Sequence, residues 1–472
     1  MRHVFTGHYR APTAAGLAML MLVFSGCAHE PSRTQRFAQL DAVLDTEMRE
    51  LPMPGVSAAL MERGRIVWTG TRGFADIEAN IPMSADTPFN IASLTKPMTS
   101  VVLMQLVQSG QLSLDTPMQH YDPTDFTDPR ITVGHVLSMT SEANPPGSHY
   151  QYNGNPYGML DTVIRGVSGE SLAQAFSTRI IEPLHLSQTS PGDLSADVQG
   201  LSPELAARYQ SIFARVARAY NLYGGTEPIR AIPPDATPNA AANVIGTASD
   251  YARFADAVMR GRFLNPATMQ TMWTNARSPS GEQFPYAYGW FVEDYRGHHL
   301  IYHYGYYDSF SAVALIVPER ELVFVALSNW GALSGHNGID AIEGNVFACA
   351  VLVGFVDASL PCTEGANANV ARWRARFPAP PPEIASDPAV LPRYVGTYRL
   401  LSGREANVET EQDHLFWHSP AGRFPLTQIG PDRFVMKTDS RTMNFVSENG
   451  RVTRIDITYP GDANTYVVPR LR

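Results

Sequence analysis

Three features are scarce in this 472-residue chain, and each scarcity excludes a class of protein. There are only three cysteines, and none stands with histidine at zinc-binding spacing, so no metal site and no cofactor are expected. No block of like charge occurs, and the formal net charge is −9, so nucleic acid is excluded as the main partner: phosphate binding needs clustered Lys and Arg. No apolar run approaches the ~20 residues that a membrane-spanning helix requires. GxSxG elbows, HExxH helices and phosphate-binding glycine loops are also missing. What is present is a globular composition, 44% hydrophobic and 17% charged. The length exceeds one ordinary core and predicts two folded domains with accessory segments.

The N-terminus reads as a secretory signal. Arg2 and Arg10 stand in a segment without acids, Ala14 to Phe24 is apolar, and Ser25-Gly26-Cys27 closes the run. It resembles a bacterial lipoprotein signal, in which the cysteine becomes the lipidated first residue; Phe24 stands where such signals prefer Leu. That resemblance implies lipidation at Cys27, a polar tether after it, and an exported, periplasmic or cell-envelope protein held to a membrane. With Cys27 so used, Cys349 and Cys362 remain, and two readings stand: a disulfide in an oxidising compartment, or two separate thiols with Cys349 buried.

Periodicity organises the rest. Val56 to Leu60, a turn at Arg63-Gly64, and Ile66 to Trp68 form a hairpin. Met98 to Val107 is apolar on nearly every face, the mark of a helix inside a protein, and Pro97 restricts its start to the first turn. A middle region rich in Pro and Gly has helix-compatible stretches such as Pro203 to Tyr220. Strands return at Tyr288 to Val292, Leu300 to His303, Ala312 to Val317 and Leu322 to Leu327, with a Pro318–Glu321 turn between the last two. Strands at both ends and helices between predict an α/β fold: an antiparallel sheet flanked by helices with an all-helical insertion. Pro-Ala-Pro-Pro-Pro-Glu near Phe377 marks a stiff linker. Beyond it, Tyr394–Leu400, His414–His418, Phe434–Lys437, Met443–Val446, Val452–Tyr459 and Tyr466–Arg470 predict a small β-barrel. The expected divisions are a signal over 1–27, a first domain over 28–378, a linker over 379–392 and a barrel over 393–472.

One tetrad has chemical content: Ser93-Leu94-Thr95-Lys96 at the start of the apolar helix. Residues three apart share a helical face, so the lysine can reach the hydroxyl. A serine is a poor nucleophile unless a neighbour takes its proton, and lysine does so only when burial leaves it neutral. By itself the tetrad is a weak signal, since it arises by chance in most long chains, and it better describes a capping serine with a solvated lysine.

The surrounding text decides between these. Gly70 to Ala75, Thr87-Pro88-Phe89, Ile91 to Pro97, Leu106 to Pro117 and Ile131 to Ser141 resemble the class C-like branch of the serine β-lactamase and penicillin-binding-protein superfamily, which includes esterases and D-amino-acid peptidases. Met139 replaces that family's His and Glu142 its Gly. The resemblance implies a serine hydrolase with Ser93 as nucleophile and Lys96 as its base. The family's Tyr-x-Asn motif falls on Tyr152, with Gly154 where the Asn belongs; Asn153 or Asn155 substitutes, or the contact is missing, and Tyr150 is an alternative to Tyr152. The third motif falls on His303-Tyr304-Gly305, with His303 lining the substrate site and Gly305 admitting the acyl carbonyl. The backbone N–H groups of Ser93 and Tyr306 then form the oxyanion hole. The implied substrate is a small-molecule ester or D-amino-acid peptide; the alternatives are a β-lactamase acting on β-lactams, or a non-catalytic cell-envelope binding protein.

Overall fold

The computed structural model describes residues 31–472 except 52, 196–197, 224–226, 232, 235, 308, 335–340, 376–380, 401–403, 420–421, 439 and 460–463. The signal over 1–27, Cys27 with it, and the first residues of the linker lie outside the described residues.

Among the described residues, seven strands form one antiparallel sheet: β1 (Gly55–Glu62), β2 (Arg65–Asp76), β3 (Ile81–Pro82), β4 (Phe291–Tyr295), β5 (His298–Tyr307), β6 (Phe310–Val317) and β7 (Leu322–Ser328). Their order is β3-β2-β1-β7-β6-β5-β4. The early and late segments of the chain therefore meet at the β1–β7 pairing, where Val56 lies opposite Ser328 and Glu62 opposite Leu322. Seven of the eight β1 residues are buried, as a central strand covered on both faces requires. The β1–β2 turn uses Arg63 and Gly64, both at positive φ (50° and 77°), the geometry that matches strand twist.

Helices cover the sheet. Helix α1 (Arg33–Glu50) starts with a Ser32 capping box closed by Gln35 and buries Leu40 and Leu44. Helix α2 (Thr95–Gln108) is buried at every position from Thr95 to Met104, in keeping with a text that is apolar on nearly every face from Met98 to Val107. Helix α3 (Ala248–Met259), capped by Thr247, packs on β1 and β7. Among the described residues the middle region is mostly helical, with a short strand Ile245–Gly246 paired to Phe89–Asn90 and a hairpin pairing Tyr220–Tyr223 with Glu227–Arg230. Tyr220 anchors it: the ring is buried and its hydroxyl accepts the Ile77 N–H at 2.7 Å. The helix at this point therefore runs only from Pro203 to Phe213, short of Tyr220.

Cys349 and Cys362 form a disulfide with their Cα atoms 5.8 Å apart, which decides between the two readings of that pair. Residues 381–387 have no regular structure, as the Pro-rich text expects. After them, eight strands between Gly396 and Pro469 pair in sequence order, and Tyr398 bridges Arg470 to bring the first strand to the last. This nearly closed barrel is filled by Tyr394, Tyr398, Trp417, Phe434 and Phe445. Asn221 of the hairpin donates to the Thr438 carbonyl at 2.9 Å, tying barrel to sheet domain.

Candidate active site

Ser93 sits in a tight 3-10 turn, Ala92–Leu94, that runs directly into α2. Ala92 is held at φ 49°, a left-handed conformation that costs a non-glycine residue ~1–2 kcal/mol. Two side chains hold it there: Asn90 Oδ1 accepts the Ala92 N–H at 2.9 Å, and Thr95 Oγ1 donates to the Ala92 carbonyl at 2.8 Å. Tyr251 donates to the Leu94 carbonyl at 2.9 Å from α3. Strain over-determined by buried hydrogen bonds is characteristic of functional turns. The turn leaves Ser93 partly exposed while both neighbours are buried.

Lys96 is 1% exposed, and its Nζ lies 2.8 Å from Ser93 Oγ. It donates to the Ala241 carbonyl at 2.9 Å. The rings of Tyr152 and Tyr157 flank it at 5.0 and 5.6 Å. Burial alone brings its pKa down to about 7, so near neutral pH a large share is free amine. Tyr152 has the opposite fate. Burial raises its pKa above the ordinary 10, an effect that the nearby Ser93 hydroxyl only moderates, so the phenol keeps its proton. Ser93, Lys96 and Tyr152 thus form one cluster: a hydroxyl, a base that is neutral when needed, and a phenol that can donate. Tyr150 and Tyr152 both pack on Tyr286, with ring centroids 6.2 and 6.0 Å away.

His303 is 0% exposed. Its Nδ1–H donates to the Tyr304 carbonyl at 2.6 Å, and its Nε2 accepts from the Tyr286 hydroxyl at 2.8 Å. Burial, helped by the Lys96 charge, lowers its pKa to about 3, so the imidazole stays neutral. The ring stands 6.2 Å from that of Tyr152, behind it and sealed from solvent. Gly305, two residues on, meets the nucleophile's turn: a Cβ there would lie 2.3 Å from the Ile91 carbonyl oxygen and 3.2 Å from the Ala92 Cβ. β4 pairs with His298–Tyr302 of β5 and ends there, so Tyr306 lies beyond that pairing, opposite Ser311 of β6.

Asn155 is exposed, and its N–H is accepted by Asn153 Oδ1 at 2.9 Å, which caps the short Gly154–Gly158 turn. Facing Lys96 instead is Gly154, whose added Cβ would lie 3.8 Å from Nζ. Met139 is buried, and its Sδ accepts the Asn153 N–H at 3.4 Å, whereas Glu142 is exposed. Ala241 and Tyr286 were not legible as site residues. Ala241 contributes only a carbonyl, which no side-chain pattern reports, and Tyr286 is one tyrosine among 20. Among the described residues, no group of three His, Cys, Asp or Glu could hold a metal ion.

Comparison with known proteins agrees with this geometry. The family model described as Beta-lactamase matches residues 40–342, more than half of the chain. Esterase EstB of Burkholderia gladioli is 26% identical over 286 residues, 49% of this chain and 72% of EstB. Protein flp of Staphylococcus aureus (strain NCTC 8325 / PS 47) is 22% identical over 328 residues, and the match spans 62% of each chain. Among solved structures, the octameric penicillin-binding protein homologue from Pyrococcus abyssi superposes with a TM-score of 0.56 at 19% identity, covering 91% of this chain and 99% of that one. EstCE1, a hydrolase with promiscuous acyltransferase activity, gives 0.53 at 21% identity, covering 67% and 98%. At such identities these two likenesses show the fold alone. The family match, the fold and the Ser-x-x-Lys geometry converge: this chain belongs to the beta-lactamase family of serine hydrolases.

Proposed function

We propose that the protein is an exported, lipid-anchored serine hydrolase that cleaves small-molecule esters, with D-amino-acid-containing peptides as its second substrate class, through an acyl-enzyme on Ser93. The observation that carries this reading is the buried Lys96 amine 2.8 Å from Ser93 Oγ with a pKa lowered to about 7. As Ser93 Oγ attacks the ester carbonyl, neutral Lys96 takes the hydroxyl proton. The backbone N–H groups of Ser93 and Tyr306 receive the developing oxyanion. Tyr152, held neutral, passes a proton to the leaving alkoxide and is reprotonated from Lys96; water then attacks the acyl-enzyme by the reverse relay. His303 acts here as a positioning residue behind Tyr152, since both its nitrogens are engaged.

Ester preference over β-lactams rests on Gly154. No carboxamide faces Lys96 from that position, and Asn155 is exposed, so a contact that grips an amide substrate is missing. The esterase name of EstB supports the same direction. Against a purely binding role, a pseudoenzyme has no need to keep a lysine desolvated against a serine. Export rests on the N-terminal text, and the Cys349–Cys362 disulfide suits an oxidising compartment. Turnover of p-nitrophenyl esters, D-Ala-containing peptides and nitrocefin, compared side by side, tests the proposal. Esters are expected to lead; nitrocefin as the best substrate would reverse the assignment.

A further inference from the structure

The formal net charge of the chain is −9, yet one cleft of about 690 Å³ is lined by five arginines, Arg33, Arg36, Arg63, Arg65 and Arg320, against one carboxylate, Glu62. They come from three separate places: the start of α1, the β1–β2 turn and the β6–β7 turn. Arg33, Arg63, Arg65 and Arg320 are exposed. Glu62 is taken up by Arg33 at 2.6 Å. The acids of the neighbouring turn are engaged elsewhere: Glu319 with His298 at 3.1 Å and Glu321 with Arg260 at 2.9 Å, while Asp357 lies 3.7 Å from His298. Val67 and Phe355 add apolar wall. Guanidinium forks on an apolar base match phosphodiester groups, which guanidinium binds in bidentate fashion.

We propose that this arginine cleft docks on the anionic phospholipid headgroups of the membrane and turns the active site away from the bilayer. Charge complementarity supplies the attraction. Position supplies the source of the phosphate: Arg33 lies six residues after Cys27, a reach of at most ~21 Å, so an acyl chain on that cysteine keeps the cleft at the lipid surface. This positional step rests on the anchor reading; the charge does not. Orientation follows from β5. His298 lies at the arginine end through its contact with Glu319, and Gly305 lies seven residues on, beside Ile91, roughly 24 Å away at ~3.4 Å per residue. That exceeds the ~8–10 Å over which surface charge acts in physiological salt, so docking leaves the site's own electrostatics untouched.

The test is co-sedimentation of residues 28–472, the chain left when the signal and Cys27 are removed, so that neither an acyl anchor nor the apolar Ala14–Phe24 run contributes. Vesicles of phosphatidylcholine alone are compared with vesicles that also contain phosphatidylglycerol. The protein is expected on the anionic vesicles only, and less of it as salt rises. Each arginine is worth about fivefold, so Arg63→Asn with Arg65→Gln lowers the partition at least tenfold; Asn tolerates the positive φ of position 63. Arg130→Gln, exposed and outside the cleft, leaves the partition unchanged. Equal binding to both vesicle types, or full binding by the double variant, overturns the proposal. So does displacement by inorganic phosphate at an ionic strength where chloride leaves the protein bound, because it assigns the cleft to a soluble phosphate ligand. Partition is read without substrate, so its failure is distinct from failure of the hydrolase reading, which ester turnover by the same samples reports.

Discussion

Replacing Lys96 by Met is expected to abolish activity and, at neutral pH, to stabilise the protein. The lysine is 1% exposed, and desolvation lowers its pKa from 10.5 to about 7, with no carboxylate contributing. The folded chain therefore binds fewer protons than the unfolded chain between pH 7 and 10.5, and wild-type stability rises with pH across that window. Below pH 7 both states are protonated and the whole penalty applies, about 5 kcal/mol at ~1.4 kcal/mol per decade of the equilibrium constant. At pH 9 the same relation leaves about 2 kcal/mol. Methionine fills similar volume without charge, at the cost of leaving the Ala241 carbonyl unpaired, about 1 kcal/mol at either pH. The variant's advantage over wild type should thus shrink by roughly 2–3 kcal/mol from pH 6 to pH 9, read as paired urea midpoints of the sheet domain. An advantage that is the same at both pH values would refute the reasoning, because Lys96 would then not lose its proton near neutrality.

Three further outcomes follow from the same geometry. Because the base form of Lys96 is required, kcat/KM for a p-nitrophenyl ester should fall about tenfold per pH unit below 7, and a flat acid limb counts against lysine as base. Gly305→Ala drives a Cβ to 2.3 Å from the Ile91 carbonyl and must displace the Ser93 turn; a loss of about a hundredfold in kcat is expected, with the fold retained by circular dichroism. At Gly154 the nearest atoms to an added Cβ are 3.8 and 4.0 Å away, so Gly154→Asn fits; it should raise the ratio of D-amino-acid amide to ester turnover, and an unchanged ratio removes Gly154 as the reason for ester preference.

The sheet domain was legible where one physical effect dominates. Ala312–Val317 and Leu322–Leu327 are unbroken apolar runs across a short turn, and both strands are fully buried. Helix α2 is buried from Thr95 to Met104, and its text from Met98 to Val107 is apolar on nearly every face. Two barrel strands escaped detection. Glu405–Glu411 buries only Ala406 and Val408 between glutamates with little strand preference, and Gly422–Gly430 contains Pro425 and glycine at both ends. Pairing with neighbours overrides those local signals. In the site, the Ser93–Lys96 spacing was readable because it is helical and local. The Ala241 carbonyl, the Tyr286 lock on His303 and the Asn90 hold on Ala92 depend on long-range contacts that no local pattern encodes. Gly154 was visible as a departure from the motif; that it faces Lys96 across open space needed the fold.

The central claim is that Ser93 carries the acyl group. Intact mass spectrometry after brief exposure to a fluorophosphonate or an activated ester tests it directly, with peptide mapping to locate the adduct. The account predicts one adduct per chain, on Ser93, absent in Ser93→Ala and strongly slowed in Lys96→Met. An adduct that persists in Ser93→Ala, or its absence from the wild-type chain, would contradict it.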